Sequence, residues 1–173
     1  MSFLDRLFGK RPDPTEGWGT TCTSAPEIDL TAMRFGALRF GDGLDAAAFL
    51  GRPDRVSLQP GGNDELLYTS CGFLLEYEEG KFAYLAFFTG PDDHLPDPAI
   101  TFSQPLLRGG AAEGARLSGE TDRATIERIF GPAHQVDEEP DEAILTYTIR
   151  GVTMEFELDG EGRRLKRWNL YPE

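Results

Sequence analysis

From Val152 to Leu158 the chain alternates without a break: Val152, Met154, Phe156 and Leu158 are apolar, while Thr153, Glu155 and Glu157 between them are polar. A period of two marks a strand with one face buried. The same reading predicts three strands in the second half, near residues 143–149, 152–158 and 164–170. Three more are predicted in the first half, near 65–70, 73–78 and 81–88. Turn residues separate them: Glu79-Gly80 in the first set and Asp159-Gly160-Glu161-Gly162 in the second. Gly72 and Gly151 fall between the first two strands of each set, where a tight connection needs a positive φ. The period changes to that of a helix just before each set. Ala46, Phe49 and Leu50 form an i, i+3, i+4 stripe over residues 43–50, with Asp42 as cap, Asp45 in the first turn, and Gly51 and Pro53 as stop. Ile126, Ile129 and Phe130 repeat that stripe over 122–130, with Thr121 as the expected cap and Gly131-Pro132 as stop.

These two sets are copies of one unit. Residues 67–77 align without a gap on 146–156: Tyr68 falls on Tyr147, Gly72 on Gly151 and Tyr77 on Phe156, always 79 residues apart. Upstream, Phe49-Leu50-Gly51 falls on Ile129-Phe130-Gly131, 80 apart. Constant spacing in two halves means one supersecondary unit built twice. The expected fold is α+β: two tandem helix–β-meander units, with helices packed on one face of an antiparallel sheet. Residues 1–27 read as an N-terminal arm or linker, 28–88 as the first unit, 89–116 as a connector and 117–173 as the second unit. Residues 28–40 are expected to hold a short helical turn and a strand. Phe3, Leu4, Leu7 and Phe8 have helical spacing in the arm, and Trp18 reads as an anchor that packs the arm down.

The halves differ on the second face of their strands. With Phe73, Leu75 and Tyr77 in the core, the opposite face of the first unit is expected to carry Leu74, Leu85 and Phe87. The second unit has Thr153, Arg167 and Asn169 there. Such an apolar face is either covered by the connector or the other unit, or is a surface for a partner. Arg167 is placed to pair with Glu155 or Glu157.

Composition narrows the function. Thirty acidic against 17 basic side chains give a formal charge of -13, which repels nucleic acid and anionic membrane and would attract a basic partner. No stretch approaches the length of a membrane span. The start lacks the continuous apolar run of a secretory signal. Cys22 and Cys71 form no disulfide framework or CxxC site, so reduced thiols and a cytoplasmic location are expected.

Candidate chemistry is sparse. Asp92, Asp93, His94 and Asp97 could gather a divalent cation, but they meet no spacing rule and lie between prolines. Gly61-Gly62 opens no helix carrying Lys-Ser/Thr, so it is no phosphate loop. His134 follows a helix stop, and Cys71 has no activating neighbours. Neither catalytic, cofactor nor metal residues are assigned. The acidic segments 63–65 and 137–142 occupy matched places in the two units and are expected to flank a basic partner together.

The elements Leu50-Gly51-Arg52-Pro53 with Tyr68, and Phe130-Gly131-Pro132 with Tyr147, resemble a known repeat. It is that of the β-lactamase inhibitory protein and of the SmpA/OmlA-type lipoproteins of the outer-membrane assembly machine, over roughly residues 36–88 and 117–171. The resemblance implies an open sheet face for proteins and brings no catalytic residues. Those relatives are exported, whereas a signal peptide is not read here. The expected function is therefore a non-catalytic protein-binding module, of the inhibitor or immunity type, binding another protein of basic character. Its partner-binding candidates are Leu74, Leu85, Phe87, Asp64, Glu65, Asp92, Asp93 and His94. Two other readings stay open: an enzyme or ligand- or metal-binding protein using a cleft between the units, and a structural subunit of an assembly.

Overall fold

The two meanders join edge to edge into one sheet. A computed structural model describes residues 11–160 and 163–173. The first half holds β1 (Ile28–Asp29), β2 (Arg34–Phe35), β3 (Arg55–Leu58), β4 (Asp64–Tyr68), β5 (Phe73–Glu78) and β6 (Lys81–Phe88). Then follow β7 (Leu107–Arg108), helix α1 (Arg123–Phe130), β8 (Gln135–Glu138), β9 (Glu142–Ile149), β10 (Val152–Asp159) and β11 (Leu165–Pro172). Eight strands form a continuous antiparallel sheet in the order β3-β4-β5-β6-β11-β10-β9-β8. The seam is β6 against β11, where Phe87 faces Trp168 and Leu85 faces Leu170.

The fold class departs from the expected α+β arrangement. Strand makes up 39% of the described residues and helix only 13%. Residues 44–50 form a 3-10 helix, and Gly43 at its start offers no side-chain cap. α1 has eight residues, capped by Asp122, which accepts from the Thr125 amide, rather than by Thr121. Pieces this short cannot roof an eight-stranded sheet. Much of the cover is instead a second, three-stranded sheet, β2-β1-β7, in which β1 runs antiparallel to β2 and parallel to β7. Its buried Ile28, Phe35 and Leu107 point into the main core. The connector thus supplies a strand, and residues 28–40 form a tight hairpin. The edge strands β3 and β8, absent from the sequence reading, follow the glycine and proline stops; β3 is mostly half-buried and β8 largely exposed.

One row of rings runs across the core face. Tyr68, Phe73, Phe87, Trp168 and Phe156 are successive cross-strand partners on β4, β5, β6, β11 and β10. Their neighbouring ring centroids lie 4.5, 6.3, 5.4 and 5.2 Å apart. All five side chains are buried. Tyr147 continues the row at 5.6 Å from Phe156. The two repeated tyrosines also reach the two helix stops. Tyr68 donates its hydroxyl to the Gly51 carbonyl at 3.0 Å, and Tyr147 donates to Gly131 at 2.9 Å. Each bond ties a helix stop to a strand.

The faces of the first unit are set by a bulge. Tyr77 faces Phe82, but Glu76 faces Tyr84, so Ala83 is an extra residue on β6. An unbroken ladder would put Leu85 and Phe87 on the face of Leu74. With the bulge they turn inward, and Leu85 is 1% and Phe87 0% exposed. The opposite face instead carries Leu67, Leu74, Ala86 and Phe88, covered by Leu95 and Ile100 of the connector.

The copies are clothed differently. A Cβ at Gly51 would lie 1.9 Å from the Thr20 carbonyl oxygen of the arm, and one at Gly72 would lie 2.1 Å from that of Thr101 in the connector. Gly131 and Gly151 face open space. Gly131→Ala is expected to cost about 1–2 kcal/mol, the strain of its positive φ alone. Gly51→Ala is expected to cost about 3 kcal/mol or more, because the arm must also move; urea unfolding of the pair measures the difference. Trp168→Ala is expected to cost about 3–5 kcal/mol. Trp168→Phe is expected to cost under about 2 kcal/mol, since the buried indole N–H has no partner to lose. Thermal denaturation separates the two.

Candidate functional site

The β5–β6 hairpin and the start of β4 leave a groove at one end of the sheet. It measures about 1030 Å³ and is lined by Asp64, Glu65, Glu76, Glu78 and Glu79 together with Phe40, Tyr77, Phe82 and Lys81. Its acids come from two sources. Glu79 sits in the two-residue turn with Gly80, both at positive φ. Glu65 and Glu76 are direct cross-strand partners on β4 and β5. Like charges facing across strands destabilise a sheet. Among the described residues neither has an ion pair or side-chain hydrogen bond, and the same holds for Glu78. Burial, with Glu65 and Glu78 beside it, pushes the Glu76 carboxyl above its ordinary value of 4.5. Tyr84 faces Glu76 on the next strand and stacks with Tyr171, centroids 6.2 Å apart, so a tyrosine pair borders the acids.

Asp64, next to Glu65 on β4, turns to the opposite, core face beside Tyr77. Its side chain is 0% exposed and pairs with Arg11 of the arm at 2.7 Å. One carboxylate oxygen has no partner, and neither has the buried Tyr77 hydroxyl on the facing strand. Two buried polar groups at this end of the core are thus left without partners.

The other sequence candidates lie elsewhere. Leu85 and Phe87 are core residues, and Leu74 is half-buried under the connector. Asp92 has a side chain only 1% exposed, 3.9 Å from Arg167, and its other oxygen accepts from the His94 amide at 3.0 Å. Asp93 and His94 are exposed. Arg167 binds Glu157 at 2.6 Å, one of its two expected partners, and Asn169 donates to the other oxygen of Glu157. This network fastens the start of the connector to β11. His134 accepts from the Thr148 amide at 3.0 Å and so covers the helix stop. Trp18 packs on the core. Phe3, Leu4, Leu7 and Phe8, with Glu161 and Gly162, lie outside the described residues. Among the described residues no group of three or more His, Cys, Asp or Glu is arranged to hold a metal ion.

The two acidic segments do not come together. β4 and β9 are five steps apart in an antiparallel sheet, so they run in opposite directions. Each segment leads into the start of its strand, which puts the two at opposite ends and about 24 Å apart across the sheet. The units meet in a hydrogen-bonded ladder with stacked rings, so the β6–β11 seam opens no cleft. Glu76 and Glu78 were missed because alternation alone made them plain outward residues. The signal lay in pairing Glu65 with Glu76 through the tight turn at 69–72.

No family model and no curated protein matches this chain. Two solved structures are similar in part. One is a DUF4309 family protein, YjgB, from Bacillus subtilis, with 15% identity and a TM-score of 0.43 over 75% of this chain and 76% of that one. The other is an extracellular protein containing an SCP domain from Bacillus anthracis, with 9% identity and a TM-score of 0.48 over 78% of this chain and 44% of that one. Neither description concerns the inhibitory-protein or lipoprotein repeat. No helix among the described residues is long and apolar enough to cross a membrane.

The raised Glu76 carboxyl sets a pH dependence. A carboxyl whose folded pKa lies above its unfolded one stabilises the fold most at low pH, and that stability fades as pH rises through the folded value. Glu76→Gln is expected to be more stable than the parent at pH 7 and to lose the part of the decline that begins near pH 4.5. Chemical denaturation at stepped pH checks it; equal slopes in both proteins would refute it.

Proposed function

We propose that this chain is a non-catalytic protein-binding module that takes a basic segment of another protein into the groove of Asp64, Glu65, Glu76 and Glu78. One observation carries the reading: Glu65 and Glu76 face each other across β4 and β5 without a cation between them. The sheet loses stability by this pairing, and a Lys or Arg from outside would relieve it. Tyr84 beside Glu76 adds an aromatic face for the same kind of side chain. The net charge of -13 would speed such an encounter and make it sensitive to salt. In narrower form the module is an inhibitor or immunity-type protein that neutralises a basic toxin or enzyme. No specific observation favours an enzyme or an assembly subunit over this reading.

Affinity capture from the native host at physiological salt, followed by mass spectrometry, tests it. The parent chain is expected to retain a basic protein. Glu65→Lys with Glu76→Lys is expected to weaken that retention at least about tenfold. Retention unchanged by the charge reversal, or no retained protein, would sink the proposal.

A further inference from the structure

We propose that Cys22 and Cys71 form an intramolecular disulfide in the working protein, closing the N-terminal arm onto the first unit. They are the only two cysteines of the chain. Their sulfurs lie 3.4 Å apart, and the Cys71 thiol also donates to the Cys22 carbonyl at 2.9 Å. Both backbones are fixed where they meet. The Cys22 amide donates to Leu50, and the neighbouring Thr21 hydroxyl donates to the Arg52 carbonyl. Cys71 lies in the short β4–β5 turn, held by Ser70, whose amide and hydroxyl both donate to Asp54 at 3.0 Å. A bond of about 2 Å therefore needs only a small side-chain adjustment.

The arm needs such a tie. Among the described residues 11–27 none belongs to a strand or helix. The arm is held by scattered bonds to Leu50, Arg52 and Asp64. A link spanning 49 residues removes much more freedom from the unfolded chain than from the folded one. The bridge would be durable. Cys71 is 4% exposed, and burial beside Cys71 pushes the Cys22 thiol up to about 12. Thiols of high pKa attack and leave slowly, so this is a structural link and not a fast switch.

Formation balances with a small disulfide such as oxidised glutathione as oxidant. The half-exposed Cys22 gives up its proton and attacks one glutathione sulfur, releasing one glutathione thiol. Cys71 gives up its proton and attacks the Cys22 sulfur of the mixed disulfide, releasing the second. Two protein thiols become one S–S bond, and one glutathione disulfide becomes two thiols. A lasting bridge belongs in an oxidising compartment, which would replace the expected reduced cytoplasmic setting. The proposal stands apart from the docking reading, since its measurements need no partner.

The test uses the full chain, incubated with oxidised glutathione at mildly alkaline pH and compared with the same chain after reduction. Under denaturing conditions the oxidised form is expected to weigh two hydrogens less and to resist alkylation at both cysteines. Its unfolding midpoint is expected to lie about 10 °C above that of the reduced form. Cys22→Ser and Cys71→Ser are expected to show no such redox shift; the comparison of the two wild-type forms holds even if a variant fails to fold. Glutathione adducts, a disulfide-linked dimer, two freely alkylated cysteines, or a bridge that leaves the midpoint unchanged would each overturn the proposal.

Discussion

The row of rings from Tyr68 to Phe156 carries the connection between the two halves. Four residue pairs join β6 to β11, from Arg167 with Phe88 to Leu170 with Leu85. Backbone hydrogen bonds across so short a seam add little net stability, because water offers the unfolded chain the same bonds. Buried aromatic area adds more, and stacked pairs add to that. Trp168 sits at the centre, with Phe87 on one side and Phe156 on the other. The cover depends on the same row: Phe35 of the small sheet meets Phe73 and Phe87 edge-on, and Phe130 of α1 lies 5.1 Å from Phe156. At both ends a tyrosine hydroxyl holds a glycine carbonyl. The hydroxyls and the rings thus tie the helices to the same surface that closes the seam.

A duplicated unit need not stay symmetric once other segments pack on it. Thr20 crowds Gly51 and Thr101 crowds Gly72, while the matching Gly131 and Gly151 are open. In the first unit glycine is needed for closeness as well as for φ; in the second, φ alone requires it. Close packing of the arm and of Thr101 thus falls on the glycines of one copy only, although the start of the connector is fastened to β11 of the other. This packing leaves apolar residues on both faces of β5 and β6, since Leu95 and Ile100 cover the outer one. The second unit has no such cover over Thr153, and polar side chains face outward there.

Much of the fold was legible because the strands obey a period of two. All six predicted strands formed, within two residues at each end. Three features escaped it. Alternation says nothing of a bulge, and the extra Ala83 reversed the faces of Leu85 and Phe87. Edge strands are short and polar, so Val56 or Val136 alone gives no period to read. Two-residue strands such as β1 and β7 exist only because partners far along the chain meet them. The helices were placed correctly, but their brevity turned a predicted helical layer into minor cover. Of the candidate site, Asp64 and Glu65 were legible from charge. Glu76 required pairing, and the two thiols required the folded arm.

Two buried or crowded acids show opposite solutions. Glu157 is 6% exposed, yet Arg167 and Asn169 satisfy both its oxygens. That carboxylate is a structural part, and its cation lies within the chain. Glu65 and Glu76 face each other with no such cation. A sheet stabilised only for itself would place a Lys, Arg or Thr at one of these positions. Unresolved local conflict in an otherwise consistent fold is where function is to be sought. The sheet's geometry strengthens this: the opposite acidic end has Lys166 against Glu142 and Arg123 against Glu138. One end of the sheet pairs Glu138 and Glu142 with cations of the chain itself, whereas Glu65 and Glu76 at the other end face each other without one.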